Sequence, residues 1–295
     1  MDIEESNNIF NLKDINMDIF QNDNGNNNII RNISSENDYQ FCGLISGMNR
    51  YKTIPLGDSA KINNRSLVEI TGEAGTGKSK LCYYLALKTI LPEKYGGLEK
   101  SCLFITTYKR LNEENISEFF GVPAKNLGLN EKEEKILFER LIYRHLGFED
   151  FQQFFNDDFA KYLEENKIQT LIIDNISCLC DEKFQEERTY NYQARHKFLF
   201  DFFFQLNGII LSYNLFCFCV NEVRASFFEF DRSSYRGNSK PAMGMTWENN
   251  LGTRLFLKRN TNNHQRWIQV DFSNFLVKQY IEFKITNNGI EFSAD

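Results

Sequence analysis

The sequence predicts an α/β protein built on a mostly parallel, twisted central sheet with helices on both faces. Three observations carry this. Strand-like and helix-like segments alternate from about residue 41 onward. A glycine-rich turn, Gly72-Glu73-Ala74-Gly75-Thr76-Gly77-Lys78-Ser79, joins a strand to a helix. An apolar run, Thr170-Leu171-Ile172-Ile173, ends in Asp174, as a buried parallel strand does when it carries an acid to the edge of its sheet.

The first forty residues read as a flexible acidic tail. They hold eleven Asn, eight acids and two bases. Asn and Asp favour turns over regular structure, and so polar a segment cannot offset its own ordering entropy. Its apolar exception is Ile9, Phe10, Leu12, Ile15, Met17, Ile19 and Phe20, a cluster able to dock on a partner or pack back on the core. Residues 41–295 form the folded domain.

Within that domain, Ser66–Thr71 reads as a strand and Lys78–Leu91 as a helix stopped by Pro92. Ser101–Thr106 is a second strand, Asn112–Phe120 a short helix and Glu139–His145 a third strand. The charge run Glu131–Lys135 reads as a solvated helix face. Glu149–Asn166 places Phe151, Phe154, Phe155, Phe159, Tyr162 and Leu163 at helical spacing. Gln169–Asp174 is a buried strand, Gln193–Leu206 a helix and Gly208–Val220 an apolar, strand-rich stretch. Arg254–Lys258, Trp267–Asp271 and Tyr280–Thr286 are late strands, and most of the 28 Phe read as core.

Composition narrows the function. The net charge of -6 comes entirely from residues 1–40, because the other 255 residues hold 32 bases and 32 acids. A uniformly basic nucleic-acid binder is therefore excluded, while a local basic loop is not. No apolar run approaches the roughly 18 residues a membrane helix needs, and the acidic N-terminus has no secretory h-region. The chain is expected inside the cell, with no membrane partner. Seven Cys in no regular framework read as buried hydrophobes in a reducing compartment. Cys178/Cys180 and Cys217/Cys219 form C-x-C pairs that would share a face if both lay on strands, but this is not the usual metal-ligand spacing. His145, His196 and His264 are far apart and suggest no triad, and Trp247 and Trp267 read as packing residues.

The glycine turn fits G-x-x-x-x-G-K-[ST] in full and stands between a strand and a helix. Gly72, Gly75 and Gly77 let the backbone curl, so that successive N–H groups point at phosphate oxygens. The start of the following helix adds its positive dipole end. Lys78 would bridge the terminal phosphates, and the Ser79 hydroxyl would hold Mg²⁺. The other Mg²⁺-side oxygen is expected from Asp174. A nucleotide with Mg²⁺ is the expected cofactor pair, held by Gly72, Glu73, Ala74, Gly75, Thr76, Gly77, Lys78 and Ser79, with Ser79 and Asp174 at the metal.

The ordered set of segments resembles the RecA-type recombinases, and among them the eukaryotic recombinase paralogues. GEAGTGKSKLCYYLAL looks like the family's phosphate loop and first helix, and TLIIDNIS like its second ATP motif. YNYQARHKFL resembles the stretch after the first DNA loop. CFCVNEVRA resembles the strand that opens the second DNA loop, and PAMGMTWENNLGTRLFLKR the return segment. The pairing of KYGGLEKSCLFITT with Met245-Thr246-Trp247 is nearest to the X-ray-repair cross-complementing type. The resemblance covers about residues 44–292. It implies that the nucleotide is ATP, and with it a RecA-like ATPase core with an antiparallel C-terminal extension, and a role in homologous recombination and double-strand-break repair in the nucleus. It also implies single-stranded DNA and other recombinase paralogues, or the recombinase itself, as partners in a hetero-oligomer.

Two departures point to weak hydrolysis. Where active recombinases place a Glu that polarises the attacking water, this chain has Thr106-Thr107-Tyr108. A phenol with a reference pKa of about 10 is no base at neutral pH. Glu113 and Glu114 lie several residues further on. The family's phosphate-sensing Gln matches Glu222, whose anion would be repelled by phosphate unless protonated or metal-bridged. No catalytic residue is assigned, and Glu222 stands as a candidate sensor. The family's N-terminal helical domain is not expected from residues 1–40, where the Asn-rich tail stands in its place.

Residues 223–240 mix bases with aromatics: Arg224, Arg232, Arg236 and Lys240, with Phe227, Phe228, Phe230 and Tyr235. Single strands are gripped by this combination, cations following phosphates and rings stacking on bases. Their place matches the family's second DNA loop, so Arg224, Phe228, Arg232, Tyr235, Arg236 and Lys240, with Arg195 near the first loop, are the DNA-contact candidates. A surface loop packing on a protein, and a helix-face ion pair for Arg195, are the plain alternatives. Three functional readings stand: an ATP-binding accessory of the recombinase filament, an active DNA-dependent ATPase, strand-exchange motor or nucleotide kinase, and a nucleotide-independent scaffold.

Overall fold

A computed structural model describes residues 51–108, 110–111, 113–156, 159–185, 192–225 and 239–293, all within the compact unit Tyr51–Asp295. The expected tail, residues 1–40, lies outside the described residues. The chain enters through a hairpin of β1 (Thr53–Leu56) and β2 (Ala60–Asn63), then β3 (Ser66–Gly72) and α1 (Lys78–Ile90). Next come β4 (Ser101–Thr106), α2 (Glu113–Ile116), a π turn at Ser117–Gly121, α3 (Val122–Asn126), α4 (Glu131–Glu139) and β5 (Leu141–His145). Helices α5 (Phe148–Asn156) and α6 (Phe159–Glu165) precede β6 (Ile168–Asp174), α7 (Ile176–Gln185), α8 (Tyr192–Ser212) and β7 (Phe216–Asn221). A ribbon of β8 (Val223–Ala225) and β9 (Ser239–Pro241) leads to α9 (Met245–Glu248), then β10 (Thr253–Arg259), β11 (Arg266–Ser273), β12 (Tyr280–Thr286) and β13 (Gly289–Phe292).

Among the described residues the central sheet has nine strands, ordered β13-β12-β11-β10-β3-β7-β6-β4-β5. From β10 to β5 every pairing is parallel. From β10 to β13 every pairing is antiparallel, so the expected α/β class and its antiparallel extension are both present. Period-two alternation divides the buried strands between two cores. Val68, Ile70, Phe104, Ile172 and Phe218 face α1 through Leu81, Leu85 and Ile90. Leu67, Leu103, Ile105, Leu171, Ile173, Cys217 and Cys219 face the other way, onto the phenylalanines of α5, α6 and α8. Those rings interlock, with Phe155 stacked on Phe159 at 4.3 Å and Phe151 on Phe155 at 5.3 Å. A buried hydroxyl pair, Thr89 and Thr170 at 2.7 Å, ties α1 to β6.

Several boundaries differ from expectation. The stretch Gly208–Val220 is not all strand: α8 runs on to Ser212, and β7 begins only at Phe216, after Asn214 turns with φ 55. Leu206 and Ile210 continue the buried face of Leu199, Phe202 and Phe203, and a short apolar run cannot distinguish that from a strand. The helix expected over residues 112–120 is the single turn α2 followed by the π turn. Within that π turn Phe119 stacks on Tyr83 at 4.3 Å, and Phe120 is fully buried. The strand expected from Glu139 begins at Leu141, because Glu139 closes α4. That helix starts on a reciprocal cap between Asn130 and Glu133 and buries Leu137 alone, so its charge run is solvated as expected. Cys178 and Cys180 lie on helix α7 rather than a strand, so they do not share a face.

Candidate nucleotide site

The C-terminal ends of the parallel strands converge on the glycine turn. Residue Gly72 ends β3 opposite Leu257 of β10. A Cβ there would stand 2.4 Å from the Leu257 carbonyl oxygen, so only glycine fits. Gly75 and Gly77 have φ 76 and 111, the left-handed region that glycine enters without penalty. Thr76 closes the turn, its hydroxyl donating to the Glu73 carbonyl at 2.8 Å. Helix α1 then starts at Lys78 with no side-chain cap, which leaves its first N–H groups directed at the turn.

Lys78 folds over this cradle. Its Nζ donates to the carbonyls of Gly72 at 2.7 Å and Glu73 at 3.1 Å. Burial lowers its pKa, against the opposing pull of Glu222 and Asp174. Asp174 ends β6 beside Thr106 of β4, near the Ser79 hydroxyl. Its carboxyl is pushed above the usual range by burial, and Ser79 and Lys78 counteract this. A turn of left-handed glycines at an uncapped helix start, an ammonium resting on the carbonyls of that turn, and a hydroxyl with a carboxylate as hard oxygens fit a phosphate chain with Mg²⁺. Every residue expected at the cofactor and metal is thus at one place.

Behind Asp174 lies a polar bracket that sequence reasoning missed. The Asp174–Asn175 peptide is cis. The Thr107 hydroxyl donates to the Asn175 carbonyl at 2.7 Å and accepts from its backbone N–H at 3.0 Å. Asn175 Nδ2 donates to Glu222 Oε1 at 3.0 Å, and Ser177 Oγ donates to Asn175 Oδ1 at 2.6 Å. The Glu222 backbone N–H donates to Ser177 Oγ at 3.2 Å. Glu222 is thus tied to the residue after Asp174, near enough to act electrostatically on Lys78 and Asp174. Tyr108, in place of the recombinase Glu, is 80% exposed at the end of β4.

A second missed feature is a buried charge in mid-strand. Glu69 of β3 is fully buried and pairs with Arg254 of β10. It also accepts from Asn221 Nδ2 at 2.6 Å and Trp247 Nε1 at 2.9 Å. Burial raises its carboxyl, and Arg254 pulls it back. An acid inside the apolar run Leu67–Ile70 was the signal available in the sequence, since a buried charge demands a partner. Trp247 is a packing residue, as expected, with its N–H used here.

The two strands that flank the candidate DNA loop are attached to this assembly. Strands β8 and β9 set Arg224 opposite Lys240 and Ala225 opposite Ser239. At the root of the ribbon, Ala242 N–H donates to the Glu222 carbonyl at 2.8 Å. Ser239 Oγ reaches Glu73 Oε1 of the phosphate turn at 3.4 Å. Arg224 is engaged with Asp181, Nη2 to Oδ2 at 2.6 Å. Phe228, Arg232, Tyr235 and Arg236 lie outside the described residues. Arg195 is half-buried on α8, where its Nη2 donates to the Met243 carbonyl at 3.3 Å. Among the described residues no group of three or more His, Cys, Asp or Glu could hold a metal ion, and no helix is long and apolar enough to cross a membrane.

Comparison with known proteins agrees with this geometry. The chain is 25% identical over 213 residues to human DNA repair protein RAD51 homolog 2, covering 65% of this chain and 55% of that protein. It is 27% identical over 234 residues to the DNA repair and recombination protein RadA of Metallosphaera sedula, covering 78% and 67%. Against the DNA repair protein XRCC3 homolog of Arabidopsis thaliana it is 21% identical over 261 residues, covering 76% and 86%. The chain thus spans little more than half the length of the human relative. The sequence profile of the Rad51 family matches residues 45–293, nearly the whole of the RecA-like sheet and its extension. On that match the chain belongs to the Rad51 family, within the RecA-type recombinase superfamily.

Proposed function

We propose that this chain is an ATP-binding recombinase paralogue of homologous recombination and DNA double-strand-break repair. It supports assembly of a recombinase filament on single-stranded DNA and hydrolyses ATP slowly or not at all. The observation that carries the reading is the assembly of Gly72, Lys78, Ser79 and Asp174 at one strand edge, with the root and the returning strand of the 223–240 loop attached to it through Glu222 and Ser239. The names of the relatives, all DNA repair or recombination proteins, support the pathway. The human and Arabidopsis relatives also support a nuclear location, and the relatives together support other recombinase family members as partners.

The residues divide the work. The glycine turn and the start of α1 hold phosphate oxygens, Lys78 takes the terminal phosphates, and Ser79 with Asp174 holds Mg²⁺. Bound metal would neutralise phosphate charge. Tyr108 supplies no base, and so the chain uses binding to set a conformation. Glu222 and Glu73 carry that setting into the β8–β9 ribbon, whose Arg224 and Lys240 contact DNA together with Phe228, Arg232, Tyr235 and Arg236. Arg195 sits further back on α8. The test is ATP turnover with and without single-stranded DNA: below about 1 s⁻¹, the low end of ordinary enzymes, supports a clamp.

A second reading is favoured by one observation. Glu222 places a carboxylate within reach of Lys78 and Asp174, where it could serve as the missing base of an active DNA-dependent ATPase. Turnover stimulated by DNA and abolished in Glu222→Gln would select that reading. A nucleotide-independent scaffold is selected instead if Lys78→Ala leaves partner binding and ATP-dependent stability unchanged.

A further inference from the structure

We infer that Glu222 makes nucleotide binding at this site conditional on a divalent cation, and that it is the residue setting the strength of that condition. The inference rests on the nucleotide reading above and concerns how the site is regulated. Strands β3 and β7 run parallel with Thr71 opposite Asn221. The next residue of each, Gly72 at the end of β3 and Glu222 just past β7, therefore lies side by side at the sheet edge. Three anchors fix Glu222 there: its N–H on Ser177 Oγ at 3.2 Å, its carbonyl on Ala242 N–H at 2.8 Å, and its Oε1 on Asn175 Nδ2 at 3.0 Å. The side chain cannot simply swing away without giving up the Asn175 bond.

The charge balance follows. One ammonium, Lys78, faces the two carboxylates Asp174 and Glu222, and of the surrounding acids Glu222 does most to hold the Lys78 charge against burial. Glu73 of the turn adds a third carboxylate and Arg259, which lies against Gly75, a second cation, so the strand edge still carries one more negative charge than positive before any ligand arrives. A nucleotide adds further negative charge beside Lys78. Asp174 alone could be offset by Lys78, but the second carboxylate leaves the excess that a divalent cation must screen. A glutamine at position 222 keeps the shape and can still accept from Asn175 through its carbonyl oxygen, so the substitution removes charge alone.

The experiment is isothermal titration of the full chain with ATP and, separately, ADP, in excess magnesium and in excess chelator, for wild type and Glu222→Gln. The wild-type chain is expected to lose ATP affinity on metal removal by about tenfold more than the variant, the size one unit charge carries at a partly solvated site. Most of the difference should be tighter metal-free binding by the variant. ADP, with less negative charge, should show a smaller gap. Equal metal dependence in the two proteins, both binding ATP, overturns the inference and leaves the nucleotide reading standing. No binding by the wild type even with magnesium overturns the nucleotide reading, and this inference with it. Circular dichroism verifies that the variant is folded. Should Glu222→Gln fail to fold, Glu222→Ala must lose the same metal dependence, or the inference fails.

Discussion

Replacing Arg254 with Met strips the countercharge from a carboxylate that has no access to water. Glu69 is 0% exposed, and its other partners are the neutral donors Asn221 and Trp247. Removing one member of a buried ion pair costs about 3–5 kcal/mol, because the remaining charge is left without compensation. At about 2–4 °C per kcal/mol for a fold of this size, the melting temperature should fall by about 6–20 °C. Adding Glu69→Gln to the Arg254→Met chain should return about 1–3 kcal/mol, since an amide still accepts from Trp247 and no longer strands a charge. Equilibrium unfolding in guanidinium, with the midpoint and slope compared across the three proteins, reads both steps. A loss below about 1 kcal/mol for Arg254→Met, against the range for a broken buried pair, would show that water reaches Glu69. A double variant less stable than the single would show that the charge is not the issue.

Four further outcomes are expected. Lys78→Ala, losing a charged donor worth about 1.5–3 kcal/mol, should weaken ATP binding about 10- to 100-fold by titration calorimetry. Gly72→Ala should destabilise the chain by about 1–3 kcal/mol in the same unfolding assay, because its Cβ would meet the Leu257 carbonyl at 2.4 Å. Asp174 has its folded pKa raised by burial, so its contribution to stability is present below the ordinary carboxylate range and is lost as pH rises through the raised value. Without nucleotide, Asp174→Asn should therefore melt higher than wild type at neutral pH, with the gap closing in acid, while its magnesium-dependent ATP binding is lost. In the loop, Phe228→Ala should weaken single-stranded DNA binding by about 1–3 kcal/mol, whereas Arg236→Ala should mainly flatten its salt dependence, as measured by fluorescence anisotropy.

The candidate nucleotide site was legible because local sequence specifies it. The turn of residues 72–79 carries its own backbone requirements, and Asp174 closes an apolar strand. The parallel sheet was legible for the same reason, since β3, β4 and β6 are buried on both faces and read as mostly apolar runs, β3 interrupted by Glu69. What stayed hidden depends on residues far apart in the chain. Nothing near Glu69 announces Arg254, 185 residues later, and nothing near Asn175 announces Glu222, 47 residues on. The hairpin of β1 and β2 also escaped, because strands of four residues carry little periodicity. Ser212 marks a further limit. The apolar run before it suits a buried helix as well as a strand, and only packing against β3 and α9 decides.

The account turns on ATP being held and not consumed. The most direct measurement incubates the full chain with ATP and magnesium, removes free nucleotide by rapid desalting, denatures the protein and identifies what was bound. The account predicts intact ATP at close to one per chain, absent from Lys78→Ala. Recovery of ADP alone, or of no nucleotide from a folded wild-type chain, would contradict it.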